Sequence, residues 1–67
     1  MDAKAIGNKL ASLRKEVPRE IVANALGIST SALAMYEQGN RIPRDEIKLK
    51  IAQYYKLTVQ EIFFEQE

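Results

Sequence analysis

The 67-residue chain contains no histidine and no cysteine, so imidazole bases, thiolate nucleophiles, disulfides and the usual zinc ligands are all absent. The means left for acting on another molecule are hydrogen bonding, positive charge and apolar contact. The grouping that best combines them is Thr30, Ser31, Ala34, Met35 and Gln38. These residues share the outward face of a helix whose Leu33, Tyr36 and Glu37 turn inward at spacings of three and four. The face is short, built mostly from small side chains and free of acids. A carboxylate there would be repelled by phosphates, and a bulky stripe would keep the helix out of a groove about 12 Å wide. An enzyme would have to assemble its site from Asp, Glu, Lys, Ser or Tyr on short helices. No such cluster is visible, so neither catalysis nor a cofactor is expected.

The elements that must carry this face are marked by breakers: Gly7, Gly27 and Gly39, with Pro18 and Pro43. Ile6, Leu10, Leu13 and Val17 are spaced four, three and four, which predicts one apolar face of a first helix ending near Glu16. After Pro18, the run containing Ile21, Val22, Ala25 and Leu26 predicts a second helix of about two turns, closed by Gly27 in a left-handed conformation. Ser29 is a good N-cap for a third helix from Thr30 to Gln38, which ends at Gly39. A fourth spans about Arg44 to Tyr55, with Asp45 and Glu46 in its first turn and Ile47, Ile51, Tyr54 and Tyr55 on one face. Thr58 and Glu61 have the spacing of a capping box before Ile62 and Phe63, which with Val59 form a small apolar face. Five helices and no strand are predicted.

Between Arg19 and Tyr36 the requirements are tighter. Two short helices joined by a three- to four-residue turn cross steeply only if the contact holds a small side chain and the turn accepts a positive backbone angle. Ala23 and Gly27 meet those needs, and Val22, Leu26, Ile28, Leu33 and Tyr36 fall where such a pair must bury side chains. A helical hairpin that merely packs would explain the burial but not the acid-free outer face.

Composition agrees with a folded, non-membrane chain. It is 46% hydrophobic and 28% charged, too apolar for a disordered tail. No apolar run approaches the roughly 20 residues needed to span a bilayer, and Met1-Asp2-Ala3-Lys4 does not begin a signal peptide. A single domain over residues 1–67 and a cytoplasmic location are expected. The net charge is only +1, yet residues 1–57 hold ten basic against six acidic residues while residues 58–67 hold Glu61, Glu65 and Glu67 alone. The acidic end and mildly basic body suggest two faces with different roles.

At this level of detail the chain resembles the Cro/CI-type helix-turn-helix proteins, also called the XRE family. The resemblance runs from Ile6-Gly7-Asn8-Lys9-Leu10 through Leu13-Arg14 and the helix pair. It continues over Tyr36-Glu37-Gln38-Gly39-Asn40-Arg41-Ile42-Pro43, Lys50-Ile51-Ala52 and Val59-Gln60-Glu61-Ile62-Phe63. It implies an all-α, compact five-helix, lambda-repressor-like domain. Such a domain inserts its third helix into the major groove of double-stranded DNA and usually binds palindromic operators as a homodimer. By position, it places Thr30, Ser31, Ala34 and Met35 toward bases and Arg19 at a phosphate. Asn40, Arg41 and Arg44 then lie in the segment that grips the backbone, and Arg14 and Glu37 form a structural pair between helices one and three. With Ser29 and Gln38, the implied DNA-facing set is Arg19, Ser29, Thr30, Ser31, Ala34, Met35, Gln38, Asn40, Arg41 and Arg44. The sequence departs from the family in a shorter connection before helix two, in Pro18 where a Ser or Thr cap is usual, and in Arg19 where Gln is commoner.

Sharp base readout comes from Arg or Lys on guanine and from Asn or Gln on adenine, whereas Ser and Thr accept several partners and Met offers apolar contact. Part of the specificity is therefore expected from groove shape, with Arg41 the first candidate for a narrow groove. Leu49 and Phe64 either fill the small core or form a C-terminal surface for a homodimer. A regulatory protein partner, with the fold used as an antitoxin-like or anti-repressor-binding interaction module, is the competing function. The chain is expected to be a transcription regulator, specifically a repressor.

Overall fold

The computed structural model describes residues 2–65. It contains α1 (Ala3–Arg14), α2 (Arg19–Leu26), α3 (Thr30–Glu37) and α4 (Asp45–Tyr55), followed by α5 (Gln60–Phe64), which is wound as a π-helix. No strand occurs among the described residues. Glu67, counted above in the acidic C-terminal group, lies outside them, as does Met1 at the other end.

The first helix begins earlier than its apolar spacing predicts. The Asp2 carboxylate accepts hydrogen bonds from the amides of Lys4 and Ala5 at 3.0 and 3.2 Å, which satisfies two of the donors that an open helix end exposes. Gly7, read from the sequence as a breaker, instead lies buried inside α1. A Cβ there would sit 2.5 Å from the carbonyl oxygen of Glu37 and 2.7 Å from that of Tyr36. Its missing side chain is what lets α1 lie against the last turn of α3. The helix stops at Arg14 rather than near Glu16, and Lys15 takes a positive φ of 56° as the chain turns. Val17 consequently leaves the predicted apolar face and is 40% exposed, its amide donating to the Arg14 carbonyl at 3.1 Å.

The pair α2 and α3 forms as the spacing requires. Pro18 occupies the N-cap of α2 without a side-chain hydrogen bond, as its chemistry dictates. Gly27 takes φ 72° and ψ 30°, and the next amide, of Ile28, reaches back to the Ala23 carbonyl at 3.0 Å, closing a Schellman-type end. Ala23 is wholly buried, so its methyl group sets how closely the two helices approach. The Ser29 hydroxyl oxygen accepts from the Ala32 amide at 3.0 Å and starts α3.

The later elements close the core. Ile47 and Ile51 of α4 are buried, as expected, but Tyr54 is 39% exposed. Its ring meets half-buried Tyr55 edge to face, with centroids 4.9 Å apart. The predicted capping box is present: the Thr58 amide donates to the Glu61 carboxylate at 2.9 Å and the Glu61 amide to the Thr58 hydroxyl at 3.0 Å. Ile62 and Phe63 that follow are wholly buried against Ile6, Leu10 and Ile51 in a single cluster. Each such side chain contributes about 2 kcal/mol of burial free energy.

Gly7→Ala provides a test in which two effects oppose each other. Helix propensity favours alanine by about 1 kcal/mol, whereas the added Cβ meets two carbonyl oxygens of α3 that cannot withdraw without moving the helix. Urea unfolding should show a net loss of about 2 kcal/mol or more; an unchanged or raised midpoint would show that α1 and α3 are not in contact there.

Candidate nucleic-acid interface

The outward face of α3 has the composition read from its periodicity. Thr30, Ser31, Met35 and Gln38 are exposed, and Ala34 is half-buried at the edge. Behind them Leu33, Tyr36 and Glu37 are buried, so the helix is anchored on one side and open on the other. No acidic residue stands on the open side. Ser29 is also exposed, although its oxygen is occupied by the Ala32 amide, which leaves its hydroxyl proton free to donate.

The two ends of the helix pair are locked together by a charge cluster. The side chain of Glu37 is only 2% exposed, and its two oxygens receive three hydrogen bonds. Arg14 gives a bidentate pair, Nε to Oε2 at 2.7 Å and Nη2 to Oε1 at 2.9 Å, and its Nη1 donates to the Val17 carbonyl at 2.8 Å. Arg19 adds a second cation, Nε to Oε1 at 2.9 Å. Burial alone would push the Glu37 carboxyl upward, but the two guanidiniums outweigh it and hold the group below its ordinary 4.5. The hydrogen bonds to Glu37 likewise raise Arg14 above its already high value. Both groups are charged throughout the physiological range.

The family resemblance pairs Glu37 with Arg14 alone, whereas in the structure Arg19 shares the same carboxylate. A signal was available, since an acid on an otherwise apolar inward face demands cations, and Arg14 and Arg19 are the only arginines before Arg41. Their convergence nevertheless depends on how the segment from Lys15 to Pro18 turns.

Beyond α3 the implied residues divide into two groups. Asn40 Nδ2 donates to Gln38 Oε1 at 3.3 Å, bringing the two amides together at the helix end. Arg41 and Arg44 are exposed and form no hydrogen bond or ion pair with the described residues, so both remain available as cations. Pro43 between them is buried; it pins the strap while the arginines project.

On the opposite side, Leu49 and Phe64 are 56% and 51% exposed and line one groove of about 240 Å³ with Asp45, Lys48 and Val59. They do not fill the core. Lys48 itself is buried, its Nζ 5.8 and 5.6 Å from the ring centres of Phe63 and Phe64 and 3.5 Å from Asp45. That placement hides the one cation of the groove against aromatic faces and leaves its lining almost wholly apolar. Among the described residues no helix is long and apolar enough to cross a membrane.

A helix-turn-helix family model matches residues 10–62, spanning α2, α3 and most of the arrangement described above. No curated protein and no solved structure matches the chain.

The Glu37 cluster has a pH signature. Because the folded-state pKa is depressed, its stabilisation is complete above about pH 4.5 and is lost as pH falls through the folded value. Glu37→Gln should cost about 3 kcal/mol at neutral pH, as removing one partner of a buried pair does. It should also flatten most of the acid-induced fall in melting temperature between about pH 5 and 3. An unaltered acid limb in the variant would assign the acid sensitivity to other carboxylates, of which Glu61, held low by the Thr58 amide and hydroxyl, is the first candidate.

Proposed function

Because the chain belongs to the Cro/CI-type helix-turn-helix family and is by that membership a DNA-binding regulator, we propose that it is a repressor binding a palindromic operator as a homodimer through α3. Residues 1–67 act in this reading as one DNA-binding domain. The observation that carries it is the open face of α3, where Thr30, Ser31, Met35 and Gln38 are exposed without an acid among them. Family membership brings a DNA-binding, non-enzymatic fold; the finer assignments rest on residue chemistry.

In this reading Thr30, Ser31, Ala34 and Met35 face base edges, with Met35 against a thymine methyl. Gln38 lies where α3 leaves the groove. Arg41 and Arg44, free of partners among the described residues, with Asn40, Ser29 and Arg19, supply contacts to phosphate and to a narrow groove. Hydroxyls and a thioether discriminate weakly among bases, so phosphate contacts carry most of the affinity and DNA shape carries part of the specificity.

Dimerisation is favoured by the groove between Leu49 and Phe64, which leaves two large apolar side chains half in water. A second copy placed about two-fold symmetrically would cover both and set two α3 helices about 34 Å apart, matching one turn of duplex. Leu49→Glu should then yield a sedimenting monomer that keeps half-site binding and loses affinity for the full palindrome by tenfold or more. A wild type that is monomeric on and off DNA would refute this interface.

Selection from a random duplex pool, followed by titration of the winner at two salt concentrations, tests the whole reading. A palindromic winner whose affinity falls steeply with salt is expected. Enrichment of nothing, with weak salt-independent binding, would instead favour a protein partner for the same face. On the selected site Arg41→Ala should weaken binding across all sequence variants, while Met35→Ala should change preference at one base position. Equal losses on every variant for both substitutions would overturn that division.

A further inference from the structure

The cluster at the end of α3 contains more guanidinium than its carboxylate can use. Arg14 is fully committed: Nε and Nη2 to Glu37, Nη1 to the Val17 carbonyl. Arg19 is not. Its Nε alone is engaged, at 2.9 Å from Glu37 Oε1, and neither of its Nη groups has a partner among the described residues. The two side chains differ in exposure in the same sense, 17% for Arg14 against 37% for Arg19. Two guanidiniums against one carboxylate also leave one positive charge in excess, and it lies on the more exposed of the two.

We propose that Glu37 is a positioning residue for DNA binding, holding the inner edge of Arg19 by Nε so that its two outer Nη groups present a preformed fork to a backbone phosphate. The proposal rests on the DNA-binding reading above and adds a role for a buried acid that otherwise belongs to the scaffold. A free arginine on a surface loses rotamer entropy when it grips a phosphate; one held at Nε has lost part of that freedom on folding. The anion is single and tetrahedral, and a planar guanidinium meets it through two parallel N–H donors. Arg14 and Glu37 also fix the approach, because Glu37 is held to α1 at the same time as it holds the first residue of α2. The phosphate contact is therefore registered to the end of α3, one helix face away from the base-facing side chains.

Lysine at this position separates a fork from a mere charge. An ammonium group keeps the charge but is a single point, so it can face Glu37 or the phosphate without spanning the two. The test uses the full chain and a mixed-sequence duplex of about 20 base pairs, long enough for two adjacent half-sites. Binding is titrated over a range of salt for the wild type, Arg19→Lys and Arg19→Ala, with circular dichroism showing that each variant is folded at the titration temperature. Both variants should bind about tenfold more weakly than wild type, and Arg19→Ala should lower the slope of log affinity against log salt by about one per bound protomer. Arg19→Lys should resemble Arg19→Ala in affinity. In a Glu37→Gln background, assayed where that protein remains folded, replacing Arg19 by Lys should cost less than in the wild type, because the holding acid is already gone.

An Arg19→Lys protein with wild-type affinity and slope would overturn the proposal, because charge alone would then suffice. An Arg19→Ala protein with an unchanged slope would overturn it as well, by removing the phosphate contact. Equal costs of Arg19→Lys with and without Glu37 would leave no positioning role for the acid. These failures are distinct from failure of the underlying reading, which would show as a wild type whose binding to duplex does not depend on salt and would remove both conclusions together.

Discussion

The packing of α1, α2 and α3 is registered to the last residue of α3. The carbonyl oxygen of Glu37 is where a side chain on Gly7 would collide, and its carboxylate is where Arg14 from α1 and Arg19 from α2 both end. Backbone contact and ion pairing therefore act on the same residue from different sides. Neither suffices alone. Close approach of two helices without the ion pairs leaves rotation about the contact weakly determined, and a buried ion pair contributes little net stability because desolvation offsets most of its Coulomb energy. What the pair contributes is geometry, together with a large penalty for any arrangement that buries the acid without its cations.

The consequence for the interface is a helix held firmly at its back and left bare at its front. Leu33 and Tyr36 bury against the core, Ala23 sets the spacing of α2, and the turn through Gly27 and Ser29 sets the crossing. The exposed side chains of α3 carry hydroxyls, a thioether and one amide; if they face bases, as proposed, the precision with which the scaffold places them matters more than their individual bonding power. The cations lie at the margins instead: Arg19 where α2 begins, Arg41 and Arg44 in the strap after α3. In the proposed reading this distribution would put affinity at the edges and readout in the middle, the division expected when phosphates bind and bases specify.

The far side of the molecule follows a different logic. Lys48 folds its ammonium against Phe63 and Phe64 and toward Asp45, so the groove beside Leu49 presents apolar surface although a lysine lines it. Sequence position alone would have counted Lys48 among the solvated charges of α4. Its aliphatic stem instead helps cover the core, a use of lysine that is common wherever a long stem crosses apolar surface.

Much of the architecture is legible in the sequence because the signals are local. The Ser29 cap, the positive φ at Gly27 and the Thr58–Glu61 box each involve residues within a turn of one another, and all three appear in the structure as their chemistry requires; apolar spacing located the helices but also put Val17, Ile21 and Tyr54 on inward faces, and these are exposed. The outward face of α3 belongs to the same class, since periodicity orients it once its inward residues are known. What spacing could not supply were relations between distant segments. Gly7 reads as a breaker until α3 is laid against it; Val17 reads as core until the turn after Arg14 carries it outward, and Tyr54 reads as core although its ring is exposed beside Tyr55; Arg19 reads as a free cation until the segment from Lys15 to Pro18 brings it to Glu37. The amino-acid sequence alone determined the helices, the turn between α2 and α3, and the chemistry of the exposed face, because backbone propensity and periodicity act over a few residues. The tertiary structure alone settled which cations the buried acid holds and how close α1 lies to α3, because those depend on distances between residues that the chain itself keeps far apart.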